Sequence, residues 1–186
     1  ESAKFEVGDL SAAEAGELAR ATLGDGVDEG VAQRLARATF DCPLITVVGG
    51  ALIRGGRLHP SSLDQDDGIR KRILDAYQDV LIADPNVAEP ETRAAVLNAV
   101  AALQPVRTDD EDFQTALSAV ADRPFDSLVR HLRSLEDAGV VLRRGSSLRI
   151  VPDLLGDVVL TNACVMPGGA GSTGYLALSS SVAQGQ

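Results

Sequence analysis

The chain has 186 residues, 45% of them hydrophobic, which is enough for one sizeable core or two small ones and too apolar for a disordered tail. Its 17 Lys and Arg stand against 27 Asp and Glu, a net charge of −10 that disfavours nonspecific attraction to a phosphate backbone. Two cysteines without a CxxC and two histidines support neither a disulfide scaffold nor a Cys/His zinc site, so the chain reads as reduced and cytoplasmic.

Lys4-Phe5-Glu6-Val7 alternates like a short strand. Ser11-Ala12-Ala13-Glu14 then has the spacing by which a Ser and a Glu side chain satisfy the orphan N–H groups of a helix start, and a helix is expected to about Leu23, before Gly24. A second helix runs from about Val31 to Phe40-Asp41 and ends ahead of Cys42-Pro43, because the residue before a proline is pushed out of the α region. From Leu44 to Ile53 periodicity does not separate strand from buried helix: Ile45, Thr46, Val47 and Val48 are β-branched, yet Pro43 suits a first helical turn. This run is the longest mostly apolar one. At about half the ~20 residues of a membrane helix, and interrupted by Gly49 and Gly50, it is not expected to span a bilayer. Ile69, Ile73, Tyr77, Val80 and Leu81 recur at helical spacing, opposite a face holding Arg70, Lys71, Asp75 and Asp79. The stretch Ala83 to Pro90 reads as a joint, which makes residues 1–84 a helical lobe with a short N-terminal strand.

Beyond the joint three helices are expected. The first covers about Glu91 to Leu103, the second opens on a capping box at Thr108-Asp109-Asp110-Glu111, and the third carries Phe125, Leu128, Val129, Leu132 and Leu135 inward before Gly139. Val140 to Arg143 and Ser147 to Val151 then form a hairpin around Gly145, and Pro152-Asp153 opens a last helix to about Ala163. Helices followed by a hairpin are the order of a winged helix, so residues 91–165 read as a winged-helix domain with a following helix, and residues 166–186 as a flexible C-terminal segment. The fold class expected is therefore mainly α, a helical lobe followed by a winged helix with a short β-hairpin.

A winged helix raises DNA reading first, through Arg130, His131 and Arg133 on the third helix and Arg143, Arg144 and Arg149 on the hairpin. Asp126, Glu136 and Asp137 on the same helix and the overall charge oppose it, so a solvated or partner-facing surface is the better reading. The Gly168 to Gly174 segment lacks the Gly-Lys-Ser/Thr of a phosphate loop and reads as a connector. No nucleophile and base can be placed together: Cys42 and Cys164 have apolar neighbours and read as structural thiols, and His59 and His131 read as solvated imidazoles. Asp64, Asp66 and Asp67 lack a calcium-loop pattern and read as a solvated loop. No catalytic or metal-binding residue is expected.

The order of elements and two short motifs resemble the C-terminal half of the nucleotide-binding module in STAND-type P-loop ATPases, of the NACHT and NB-ARC kind. Asp41-Cys42-Pro43-Leu44-Ile45 is similar to that family's Gly-Leu-Pro-Leu-Ala motif: Pro43 and Leu44 match, while Asp41, Cys42 and Ile45 depart from it. After the hairpin, Val151-Pro152-Asp153-Leu154-Leu155 resembles Met-His-Asp followed by Leu-Leu. Asp153 matches, and the histidine that senses ADP phosphates in relatives is absent. The resemblance implies a helix from Leu44 to Ile53 and a first lobe that acts as a lid. It implies ATP or ADP contacts at Pro43, Leu44 and Asp153 in a larger parent protein whose phosphate loop lies upstream of Glu1. It also implies an upstream nucleotide-binding lobe as partner, self-association in the active state, and no catalysis by this segment alone. The start Glu1-Ser2-Ala3-Lys4, without Met or an apolar signal core, is what an excised piece would show. The rival expectation is a free-standing winged-helix DNA-binding transcriptional regulator.

Overall fold

The computed structural model describes residues 10–64, 68–83 and 89–165, and in them the chain is mainly helical, with eight α-helices and one small antiparallel sheet. The expected strand at residues 4–7, most of the expected joint and the segment 166–186 lie outside the described residues. Contacts divide the chain into two compact units, Glu1–Tyr77 and Gln78–Gln186.

In the first unit, α1 (Ala12–Leu23) starts as its sequence dictates: the Ser11 Oγ accepts from the Glu14 N–H at 3.3 Å, and the Glu14 carboxylate accepts from the Ser11 N–H at 2.8 Å. Ala15, Ala19 and Leu23 form its buried stripe, and Gly24, at φ 82°, ends it in a conformation that a side chain disfavours. Helix α2 (Glu29–Thr39) is capped by Asp28 and buries Val31, Ala32, Leu35 and Ala36. The ambiguous apolar run is helix α3 (Pro43–Arg54), with the proline in the first turn, where its missing N–H costs nothing. Its β-branched residues go into a helix because Ile45, Val48, Leu52 and Ile53 are all buried there, and tertiary packing outweighs local propensity. The buried hydroxyls are paired: Thr39 Oγ1 donates to the Leu35 carbonyl at 2.8 Å and lies 2.6 Å from Thr46 Oγ1.

Two glycines set how closely these helices pack. A Cβ at Gly50 would meet Thr22 Oγ1 at 2.3 Å and the Thr22 backbone carbonyl carbon at 3.3 Å, whereas one at Gly49 would meet only side-chain ends, Leu35 Cδ1 at 2.9 Å and Ile73 Cδ1 at 3.1 Å. A 3₁₀ turn, Pro60–Asp64, buries Leu63, in a stretch that the sequence showed only as an acidic loop. Helix α4 (Ile69–Ile82) follows, and the division between the units falls within it, at Tyr77/Gln78.

The second unit is a winged helix. Helices α5 (Pro90–Leu103), α6 (Glu111–Ala121) and α7 (Phe125–Asp137) precede strands β2 (Val141–Arg144) and β3 (Ser147–Ile150), and α8 (Asp153–Cys164) closes it. A two-residue strand, β1 (Val106–Arg107), joins the hairpin to give the order β1-β3-β2, with Val106 opposite Leu148 and Val141 opposite Ile150. Two residues are too few to show alternation, which is why β1 was not expected. The core is Val96, Leu97 and Val100 of α5 against Leu117, Leu128, Leu132, Leu135, Leu148 and Leu155. Helix α6 is capped by Asp110, not by the expected box at Thr108: its carboxylate accepts from the N–H groups of Asp112 and Phe113 at 2.9 and 3.3 Å. Asp109 is drawn instead into an ion pair with Arg107 at 2.7 Å. No helix among the described residues is long and apolar enough to cross a membrane.

Gly50→Ala is expected to lower stability by about 1–3 kcal/mol through overpacking against Thr22. Gly49→Ala should cost less, because its neighbours can rotate away and alanine favours the helix by about 1 kcal/mol. Urea denaturation of the two variants beside the parent chain checks the order.

Candidate functional site

The two residues assigned to adenine contact, Pro43 and Leu44, open α3 and are both exposed, Leu44 at 41%. Three features make this helix start unusual. The preceding Cys42 makes no side-chain cap hydrogen bond, the first turn holds no acidic residue, and Phe40 and Val47 are exposed beside it at 49% and 39%. A spacing of three residues along α3 puts Leu44 and Val47 side by side, next to the buried Val48 at the edge of the packed face. The result is an apolar surface, bordered by the exposed Asp41 and its partner Arg70, of a chemistry that suits the flat face of a purine. The side chains present fit the adenine end of a nucleotide.

Asp153, in the second unit, is the first residue of α8 and is paired with Arg149 of β3 four residues earlier. A carboxylate there suits the positive end of the helix dipole. It does not fit a nucleotide's phosphates, which it would repel, and Pro152 in the preceding position has no donor to offer them.

The basic residues of the winged helix are largely occupied within it. Arg130 Nη2 donates to Glu89 Oε1 at 2.7 Å, and that bond holds the Glu89 carboxyl below its usual range. Arg143 makes a two-pronged pair with Glu136, both arms at 2.8 Å, and Arg149 is held by Asp153. His131, expected as a solvated imidazole, is fully buried at 0% exposure, because the i, i+3, i+4 stripe of Leu128, Leu132 and Leu135 turns it inward as well. Only Arg133 and Arg144 of the expected six remain exposed without an ion pair among the described residues. A sequence-specific DNA reader commonly neutralises about six to ten phosphates. This surface, on a chain of net charge −10, falls well short of that.

Sequence reasoning missed a polar cluster under this surface. Arg93 of α5 is fully buried and donates from Nη1 to Ser134 Oγ of α7 at 2.7 Å. His131 lies on the same helix, its Nδ1 without a hydrogen-bond partner among the described residues. The sequence signal was weak: Arg93 sits at helical spacing from Val96, Leu97 and Val100, and an arginine at such a position is ordinarily assigned to the solvated side.

Cys42 is half-buried and Cys164 buried, and both are free. Among the described residues no group of three or more His, Cys, Asp or Glu could hold a metal ion. The glycine-rich segment 168–174, Asp66 and Asp67 lie outside the described residues. Comparison of the chain with family models, curated proteins and solved structures finds no match.

Burial pushes the His131 imidazole below its ordinary value, the Arg130 guanidinium adds to this, Glu89 opposes it and Arg93 reinforces it. Between that lowered value and the unfolded value of about 6.5, the unfolded chain binds the more protons. Stability is therefore expected to be full above about pH 6.5 and to fall as the pH drops below it. Denaturation midpoints measured between about pH 5 and 8 should show this slope in the parent chain and a flatter one in His131→Leu.

Proposed function

We propose that this chain is the regulatory lid and winged-helix part of an ATP-dependent signalling switch, coupling nucleotide state to conformational change and oligomerisation without being catalytic on its own. The observation that carries the reading is the apolar, uncapped start of α3, with Pro43 and Leu44 exposed at the position that the resemblance to STAND-type ATPases gives to adenine contact. The fold supports it too, since a helical lobe precedes a winged helix in the expected order. So does the extent of ion pairing on the winged helix, which fits a domain that meets protein surfaces better than one that reads DNA.

In this reading the partner of the first unit is an upstream nucleotide-binding lobe of the same protein, which supplies the phosphate loop and the magnesium-binding acid. A bound ATP or ADP supplies the difference in free energy between a resting and a released arrangement. Pro43 and Leu44 contribute apolar contact and exclude water from one face of the base. Asp153 stays with Arg149 and organises the start of α8, without sensing phosphate. The winged helix serves as a body that a partner surface holds in one nucleotide state and releases in the other, freeing it for self-association.

Reading the coding sequence upstream of Glu1 tests the proposal. A Gly-x-x-x-x-Gly-Lys-Ser/Thr loop followed by an acid-ended apolar strand is the expected result, and a start codon adjoining Glu1 would overturn it. This chain alone should bind ATP and ADP no more tightly than the micromolar range, because most phosphate contacts lie elsewhere. Submicromolar affinity measured by calorimetry would count against the assignment.

A further inference from the structure

Three arginines of the first unit gather around one cavity. Arg34 and Arg37 lie three residues apart on α2, and Arg70 is the second residue of α4; with Leu63, Asp64 and Ile69 they line a space of about 560 Å³. Among the described residues, three guanidinium groups and one carboxylate thus line one concavity in a chain whose net charge is −10. Asp41 and Asp64 offset two of these charges, and the third, on Arg37, has no counter-charge among the described residues.

Two of the three are held in position. Arg70 donates from Nε to the Ala38 carbonyl at 2.9 Å, and its two terminal nitrogens reach the Asp41 carboxylate at 2.8 and 2.6 Å. Asp41 is not among the residues lining the cavity, so it fixes Arg70 from outside. Arg34 Nε lies 3.0 Å from Asp64 Oδ1, and Asp64 is itself at the rim. Arg37 is exposed and has neither a hydrogen bond nor an ion pair among the described residues, which leaves its donors to a ligand. The first turn of α4, with Gly68 and Ile69 in the lining, brings the positive end of a 14-residue helix to the same space.

We propose that this cavity is a binding site for a small phosphorylated molecule, with Arg37 holding the phosphate and Arg70 adding the N–H groups that Asp41 leaves open, beside the Arg34–Asp64 pair. A phosphate monoester carries up to two charges on a compact group, and guanidinium forks match its oxygens in pairs. The cavity is larger than one phosphate needs and falls in the range of small-molecule sites, while the buried Leu63 and Ile69 give it an apolar side for an organic portion. The site is separate from the start of α3 and does not rest on the nucleotide-switch reading.

The test is calorimetry and amide chemical-shift mapping on the whole chain, titrated with glycerol 3-phosphate, inorganic phosphate and acetate at matched ionic strength. Binding of glycerol 3-phosphate and phosphate in the millimolar range or tighter, with acetate weaker and shifts at α2 and the start of α4, is the expected result. Arg37→Gln should weaken phosphate binding about tenfold, the size of one lost charge-assisted hydrogen bond, at an unchanged melting temperature. Absence of phosphate binding, shifts confined to other helices, or equal affinity in Arg37→Gln would each overturn the site.

Discussion

The first unit depends on the crossing of α1 and α3 at Gly50, where the space beside Thr22 has no room for a Cβ. Beside this close approach lie the buried Ala15, Ala19 and Leu23 of α1 and the buried Thr46 and Ile53 of α3. Small residues on both helices are what a lobe of this size requires, since bulkier ones would separate the helices and open voids. The same crossing orients α3: with its inner side committed to α1 and α2, the side that carries Leu44 and Val47 is left to water. The exposed apolar helix start thus follows from the packing of the opposite side.

In the winged helix the organising element is α5, which contacts α6, α7, α8 and β3. Its polar member, Arg93, is as buried as its valines and is tied to α7 through Ser134. A guanidinium so placed is directional in a way that leucines are not, because its bonds are made only when α7 sits at one axial position and one rotation. Its charge adds a small contribution to the burial and the Arg130 charge that push the His131 imidazole below its ordinary value.

Much of this architecture could be read from residues whose physics is local. The Ser11 and Glu14 cap, the stripe from Leu128 to Leu135, the Gly139 stop and the Gly145 turn act within a few residues of themselves, and each appears where expected. What escaped depends on partners far along the chain. Strand β1 exists only because Val106 and Arg107 lie beside Leu148 and Ser147, and two residues have no periodicity of their own. Periodicity alone left the run from Leu44 to Ile53 open between strand and helix, and the helix that the family resemblance implied is the one formed. At the candidate site, Pro43 and Leu44 were found by motif, and their exposure is a property of the packed lobe. The arginine cavity was invisible because Arg70 reads as one more charge on a solvated face, and its neighbours Arg34 and Arg37 lie over thirty positions away.

The wing is fastened to the body of its domain by two surface ion pairs, Arg143 to Glu136 and Arg149 to Asp153, in addition to the buried Val141, Leu148 and Ile150. Charge pairs at the surface are screened by salt, while apolar burial is not weakened by it. Ionic strength therefore acts selectively on this molecule. Added salt weakens the Arg143 contact toward the tip and the Arg149 contact toward the base alike, while Val141, Leu148 and Ile150 keep the hairpin in place.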